Sequence, residues 1–319
     1  MVYIVVLNWN GWKDTIACLE SLMLLNYENY KIVICDNKST DGSLDKIKDW
    51  YKINKNNFPY LANADYQYID TIDFNIYTSS NNKGLYLIQT GSNLGYAGGN
   101  NVGIKFCLKQ TDMRYVWILN NDTEVTEDSL SRMVEKLQYN KNNGICGSRL
   151  VYHHDKTKIQ ALGGVFNSWL CTSKHYASGM RATETFDDDF VSQNIDYVVG
   201  ASALVSKELL IDVGLMSEDY FLYYEEIDFA LRAKQYGYSI CVATDSIVYH
   251  KEGATIKKLS GLSDYYFLKN RLVLYKKFFK KKLVLSWLSL FVSLFRRIIR
   301  GNYSGSKAAL FAILGVKWK

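Results

Sequence analysis

The sequence predicts an α/β protein built on a mainly parallel sheet with helices on both faces. Three observations predict it. Strand and helix patterns alternate through the first half, the order that builds a parallel sheet. The opening run, Val2 to Leu7, is continuously apolar, as a strand buried on both faces must be. The predicted strands end in clusters of amide, hydroxyl and carboxylate side chains, and in open α/β sheets ligands bind beyond such strand ends.

Taken in order, Val2 to Leu7 is the first strand, and Thr15 to Leu25 follows with apolar residues at helical spacing. Lys31 to Cys35 is a second strand and Ser43 to Tyr51 a helix, with Ser39, Thr40 and Asp41 as capping candidates. The polar stretch from Lys52 to Lys83 is long for a connection and has room for a small hairpin. Leu85 to Gln89 reads as a strand, Gly98 to Leu108 as a helix, and Tyr115 to Leu119 as a core strand. Thr126 would cap a helix over Glu127 to Leu137. Residues 145–200 mix short apolar runs with Gly and Asp, which suits strands packed against the end of the first sheet. Ser206 to Val213 and Ile227 to Tyr236 look helical, and Ile240 to Thr244 and Ile247 to His250 look like two short strands. From Ser263 onward the pattern is almost wholly helical.

A chain of 319 residues that is 48% apolar allows one large domain or a domain with appendages. The single proline, Pro59, excludes a Pro-rich linker. The six cysteines form no C-x-x-C pair, and Cys18, Cys35 and Cys107 sit in apolar periodic segments. A reduced, cytosolic chain is expected rather than a disulfide framework. MVYIVVLNWNG has no basic leader region and no small-residue cleavage site, so it reads as a strand and not a signal peptide. The net charge of +6 hides an asymmetry: residues 251–319 hold 16 Lys and Arg against Glu252 and Asp264, a balance of +14, which leaves −8 on the rest. A mildly acidic body carries a basic tail.

Four polar clusters follow predicted strands: Asn8-Trp9-Asn10-Gly11; Asp36 to Ser43; Gly91 to Gly103; and Asn120-Asn121-Asp122. Each alone fits a turn, but four at one sheet edge would line a single cleft. The glycines of the third do not spell a dinucleotide fingerprint, though they allow backbone N–H groups to approach an anion before a helix. A fifth cluster, Glu225-Glu226-Ile227-Asp228, crowds three carboxylates among aromatic residues. Like charge and partial burial raise a carboxyl pKa toward the range of a general base. His250 closes the apolar run Ile247 to Tyr249 and matters chemically only where the fold brings it to Asp122.

In order, VVLNWNG, IVICDNKSTDGS, NLGYAGGNNVGI, WILNNDTEV, YFLYYEEIDFALRAKQYGY and VYH resemble a family 2 glycosyltransferase of the GT-A fold. They look most like the rhamnosyltransferase-like branch that builds bacterial surface polysaccharides. The resemblance spans residues 2 to about 275 and implies a catalytic unit over 1–262. Its nucleotide-sugar half would take in about 1–125 and its acceptor half about 126–262. It implies a nucleoside-diphosphate sugar donor, UDP- or dTDP-linked, and a hydroxyl on a glycan or lipid-linked acceptor. Leu7, Asn8 and Asp36 would hold the nucleoside, with Asn10, Asn93, Gly95, Asn100, Asn120, Asn121 and Asp122 completing the donor side. The family's D-x-D metal motif is replaced by Asn120-Asn121-Asp122, leaving one carboxylate. Asp122 would ligate Mn²⁺ or Mg²⁺, with His250 as second ligand and the imidazole favouring Mn²⁺. Glu226 matches the family's base, with Glu225 and Asp228 as support or rivals. Gly200-Ala201-Ser202 resembles the segment beside the acceptor. The reaction implied is a single displacement that inverts the anomeric carbon.

Residues 263–319 form the basic tail. Lys276 to Lys282 precede the 13-residue run Leu283 to Phe295, and Arg296, Arg297 and Arg300 follow. The run is too short to span a bilayer, and its flanks suit a helix lying in an anionic membrane interface through residues 276–300. The apolar run argues against nucleic acid, and the alternative is a tail helix packed on the body or on a second subunit in a homodimer. The location expected is cytoplasmic, peripheral on the inner face of the cell membrane. One rival is a nucleotidyltransferase, but no basic Gly-rich triphosphate loop is visible near the N-terminus. The other is a non-catalytic, membrane-associated subunit that binds nucleotide sugar within a glycan-assembly complex.

Overall fold

Val2 to Val6 are fully buried because β1 (Val2–Asn8) runs through the middle of a sheet covered on both faces. The computed structural model describes residues 1–70, 83–251 and 261–318. After β1 come α1 (Trp12–Leu22), β2 (Tyr30–Asp36), α2 (Ser43–Asn54), α3 (Pro59–Ala62), β3 (Asp65–Ile69), β4 (Gly84–Gln89), α4 (Gly95–Leu108) and β5 (Tyr115–Asn120). These five strands lie in the order β3-β4-β2-β1-β5 and are all parallel. Alternation sorts their side chains: Tyr3 and Val5 enter one core with α4, while Val2, Ile4 and Val6 enter the other with α1. Each such aliphatic side chain, fully buried, contributes about 1.5–3 kcal/mol.

The chain leaves β1 toward β2 on one side and returns to its other side as β5. The switch point therefore falls between β1 and β5, where α/β sheets place their ligands. Register sets the strand ends level: Asn8 lies opposite Asp36, and Leu7 opposite Asn120. Helix α4 lies directly on β1 because its inner face is glycine. A Cβ on Gly99 would stand 2.5 Å from Leu7 Cδ1, and one on Gly103 2.6 Å from Val5 Cγ1.

The second half continues the sheet. It adds β6 (Thr123–Val125), α5 (Ser129–Tyr139), β7 (Asn143–Tyr152), β8 (Ile159–Ala161), β9 (Gly164–Asn167), β10 (Thr172–His175), α6 (Asp188–Gln193), β11 (Ser202–Ser206), α7 (Lys207–Asp212), α8 (Glu225–Gln235) and β12 (Ser239–His250). Strand β11 runs antiparallel between β5 and β7, β12 is parallel to β7, and β6 is antiparallel to β12. Strands β9 and β10 form a separate hairpin. The two short strands expected over 240–250 are one strand, irregular between Ala243 and Ile247 where it bends past β7.

Other expectations shift. Helix α1 starts a turn early, at Trp12, and α4 at Gly95. Thr126 caps nothing: α5 starts at Ser129, and the Thr126 hydroxyl donates to Asp128 Oδ1 at 3.0 Å. The stretch expected to hold a hairpin contains α3 and β3, which pairs in parallel with β4, and its remainder, 71–82, lies outside the described residues. All six cysteines are buried and unpaired.

The C-terminal region is α9 (Leu262–Phe278), α10 (Leu283–Ile299) and α11 (Tyr303–Leu314). Leu274 of α9 belongs to the main core, whereas Tyr265, Leu268 and Leu272 build a small third core with Leu290, Ala308 and Ala309. The tail is thus fastened to the body through its first helix. No described helix is long and apolar enough to cross a membrane.

Candidate active site

The floor of the cleft is a buried network at the ends of β1 and β2. Asn8 Nδ2 donates to Asp36 Oδ1 (2.7 Å) and Ser39 Oγ (3.1 Å), and Asn8 Oδ1 accepts from the Thr15 hydroxyl (2.9 Å). Asp36 Oδ2 accepts from the Ser39 N–H and Gln89 Nε2, both at 3.0 Å. Asn8 and Asp36 are fully buried. They fix the 9–11 and 39–41 loops rather than facing the cleft with free polar atoms. Asn10, in a left-handed conformation (φ 52°), joins the two loops by accepting from the Thr40 N–H at 2.7 Å.

The glycine-rich segment begins α4 with its first two N–H groups already bound. The Gly95 N–H goes to Asn93 Oδ1 (3.0 Å) and the Tyr96 N–H to the Phe221 carbonyl (2.8 Å), so the first donors of α4 are taken. Gly95 is left-handed (φ 72°), and a Cβ there would stand 2.4 Å from the Phe221 oxygen. Asn100, expected on the donor, is buried inside α4 with Nδ2 on the Tyr96 carbonyl (3.0 Å).

At the end of β5 the three oxygen-bearing residues part ways. The Asn120 N–H binds the Ala201 carbonyl (3.0 Å). Asn121 turns inward, its amide nitrogen reaching the Thr15 hydroxyl (3.0 Å) and the Gly11 carbonyl (3.3 Å). Asp122 turns to His250, with Oδ1 3.3 Å from Nε2. The β6–β12 pairing, which sets His250 opposite Thr123, makes this meeting. Burial would raise the Asp122 carboxyl, but His250 and the Lys251 charge hold it below its ordinary pKa. His250 Nδ1 lies 2.9 Å from Gln160 Oε1, a buried partner that orients the ring. Asp122 Oδ1 and His250 Nε2, 3.3 Å apart, would share a cation in place of the proton that joins them here. Among the described residues no cluster of three or more His, Cys, Asp or Glu suits a metal, so a cation here would need further ligands from a bound molecule. Lys251 stands beside them, 2.9 Å from Asp14 and 3.6 Å from Glu124.

The opposite wall is the loop before α8. Tyr223 (φ 69°) and Tyr224 (φ 75°) are consecutive left-handed residues, a conformation costing about 1–2 kcal/mol each. Helix α9 holds them there. Asn270 Nδ2 donates to the Leu222 and Tyr223 carbonyls (2.8 and 3.2 Å), and Arg271 Nε to the Tyr224 hydroxyl (3.2 Å). The turn delivers Glu225 and Glu226 to the helix N-terminus. Burial pushes the Glu226 carboxyl up to about 7, although backbone N–H groups at the helix start pull the other way. Burial and the charge of Glu226 push Glu225 well above its ordinary value, and its Oε2 has no hydrogen-bond partner.

Asp228 is a correction. Expected as support or rival for a base, its carboxylate is fully buried and held by Arg232 Nε (2.6 Å), Lys277 Nζ (2.6 Å) and the Tyr220 hydroxyl (3.1 Å). With both oxygens engaged, the carboxylate braces α8 against α9. Ser202, expected beside the acceptor, is buried in β11, where its hydroxyl accepts from Trp117 Nε1 at 2.9 Å and so presents no free surface to a ligand. Ala201 is also buried, whereas Gly200 is half-buried and its carbonyl accepts from the Tyr96 hydroxyl at 2.6 Å.

Tyr96 is the residue that sequence reasoning missed. Burial first, then the charges of Glu225, Glu226 and Asp122, push its hydroxyl pKa well above the ordinary value. Its hydroxyl therefore lies near enough to Asp122 and to the Glu225–Glu226 pair to feel the charge of both. It lay within the quoted NLGYAGG segment, overshadowed by the glycines. Asn270 gave no signal, because only the docking of α9 brings it to the loop.

A model of the family described as Glycosyl transferase family 2 matches residues 3–66 and 74–214. The low-salt glycan biosynthesis hexosyltransferase Agl10 of Haloferax volcanii is 26% identical over 168 residues, and the chain spans about half of its length, 51% of each protein being aligned. The dTDP-rhamnosyl transferase RfbF of Shigella flexneri is 20% identical over 284 residues, 86% of this chain and 80% of that one. Among solved structures, the mannosyltransferase PcManGT from Pyrobaculum calidifontis, in complex with GDP-Man and Mn²⁺, superposes with a TM-score of 0.57 at 14% identity, covering 98% of this chain and 74% of that one. GalNAc-T7 with UDP, GalNAc and Mn²⁺ gives 0.56 at 14% identity, over 85% of this chain and 50% of that one. These two likenesses are of fold.

Proposed function

The chain belongs to glycosyl transferase family 2 and has the GT-A fold, and from that premise we propose that it is an inverting glycosyltransferase. The donor is a UDP- or dTDP-sugar and the acceptor a hydroxyl of a glycan or lipid-linked molecule in polysaccharide or glycoconjugate assembly. The observation that carries this is a carboxyl raised to about 7, Glu226, and a carboxyl held below its ordinary value, Asp122, whose charges both act on the Tyr96 hydroxyl.

The two ends do different work. Glu226 is poised near neutrality, so it takes the proton from an acceptor hydroxyl as that oxygen attacks the anomeric carbon. The bond from the anomeric carbon to the diphosphate breaks on the opposite side, and the nucleoside diphosphate leaves with its electron pair. Burial and the Glu226 charge push the Glu225 carboxyl well above its ordinary value, which opposes a second negative charge beside the base. Asp122 and His250 would hold a divalent cation, Mn²⁺ in preference to Mg²⁺, whose charge offsets that developing on the leaving diphosphate. The donor phosphates would complete its shell. Leu7, Asn10 and the loops fixed by Asn8 and Asp36 would line the nucleoside end. The likeness to a dTDP-rhamnosyl transferase over 86% of the chain supports a dTDP donor and the rhamnosyltransferase-like branch.

Glu226→Gln tests the reading. It should abolish release of nucleoside diphosphate from the donor in the presence of acceptor and leave donor affinity within about threefold. Turnover that survives would remove Glu226 as the base. A chain that binds nucleotide sugar but turns over none, even as wild type, would be the non-catalytic binding subunit instead.

A further inference from the structure

Helix α10 packs Leu290 into the third core and carries a second apolar stripe on its outer face. Val284, Leu288, Phe291, Val292, Phe295 and Ile299 are all at least half exposed, at 50–69%. At 3.6 residues per turn they fall within an arc of roughly 100°. Its serines lie on the opposite side, toward the body. Ser286 is fully buried, Ser289 accepts from Arg271 of α9 at 2.9 Å, and Ser293 binds Arg297. A helix that only packed on its own protein would be polar on the side away from that core. Leu310 and Leu314 of α11 are also exposed, at 44% and 64%.

We propose that this outer face of α10 rests on the surface of an anionic lipid bilayer. Charge selects that occupant. Residues 276–300 hold eight Lys and Arg and no acid, and Lys276, Lys280, Lys281, Arg296 and Arg300 are exposed at the two ends of the stripe. A second copy docked through the same stripe would bring two such cationic sets together, because a two-fold interface sets each patch against itself. An anionic headgroup layer takes the apolar face and the cations at once. The β9–β10 turn adds an aromatic anchor at the α10 N-terminus: Trp169 and Leu170 are each 68% exposed, and Lys282 Nζ lies 3.9 Å over the Trp169 ring. The apolar run of 13 residues is too short to cross a hydrocarbon core of about 30 Å, so the helix lies along the interface. Helix α9 carries both this surface and the Glu226 loop, yet the docking face does not depend on the donor or the base.

The test is co-sedimentation of the full chain with phosphatidylcholine vesicles and with vesicles of phosphatidylcholine and phosphatidylglycerol. The chain should pellet with the anionic vesicles only, and added salt should weaken the binding. Phe291→Glu with Phe295→Glu should abolish pelleting while the thermal melt and nucleotide binding stay as in wild type. Lys280→Gln and Lys281→Gln should each lower partitioning about fivefold. Failure to pellet with anionic vesicles would overturn the proposal, as would pelleting that the double Glu variant leaves intact. A concentration-dependent dimer, split by Phe291→Glu with Phe295→Glu and indifferent to vesicles, would make a second copy the occupant.

Discussion

The Asp228 carboxylate and the Lys277 ammonium meet at 2.6 Å, joining helices 49 residues apart in the chain. With Arg232 on the other oxygen, the carboxylate is the joint between α8 and α9. Asp228→Asn removes the charge and leaves two cations facing an amide. The expected cost is about 3 kcal/mol in denaturant unfolding, the lower end for breaking a buried pair because Lys277 is partly exposed. Activity at a temperature where the variant is folded should drop only modestly. Abolished turnover in a variant of unchanged stability would make Asp228 a base after all.

Glu226 couples function to stability with a definite sign. Folding raises its pKa from an ordinary 4.5 to about 7, so the folded state favours the protonated form. The stability this group contributes is fully present below the unfolded value and is lost as pH rises through about 7. Turnover should rise over the same interval, because the base must be ionised. Glu226→Gln, which cannot ionise, should melt higher than wild type at pH 8 and about equally at pH 4. Parallel melting curves at both pH values would contradict the burial argument.

Asn270 should act on rate rather than on donor affinity. Its amide holds the Leu222 and Tyr223 carbonyls, and so the left-handed turn that aims Glu226. Asn270→Ala should lower kcat by about 100-fold, the scale of a 1 Å misplacement, with KM for the donor nearly unchanged. A variant that loses stability in proportion to activity, with no split between kcat and KM, would reduce Asn270 to a core contact.

Gly95→Ala should misplace the same loop from the other side. The new Cβ meets the Phe221 oxygen at 2.4 Å, in a backbone conformation that alanine adopts only at a cost of about 1–2 kcal/mol. Melting temperature and turnover should both fall, whereas Gly91→Ala, also left-handed but with open space around it, should lose stability alone.

Much of this was legible in the chain. The apolar run of β1 and the abrupt end of β5 at Asn120 marked the sheet and its carboxyl edge, because period and polarity are local properties. Pairing is not local. Nothing around Thr123 announces the three-residue strand that carries His250 to Asp122. Glu226 and Asp228 are chemically alike and two residues apart, yet opposite in fate, because a helix turns them about 200° from each other. One faces the cleft, and the other meets Arg232 and Lys277. In the tail, the amphipathic pattern was readable, but which face turns outward depends on the third core taking Leu290 and on Arg271 of α9 binding Ser289.

The most direct measurement is calorimetric binding of UDP and dTDP, each with Mn²⁺ and then with EDTA, to wild type and Asp122→Ala. One nucleotide should bind the wild type with Mn²⁺ at least tenfold tighter than with EDTA. Mn²⁺ alone should bind weakly, since the protein offers only Asp122 and His250. The Asp122→Ala variant should lose the metal-dependent part. Failure of both nucleotides to bind in every condition, or binding that Asp122→Ala leaves unchanged, would contradict a diphosphate seated at the end of β5.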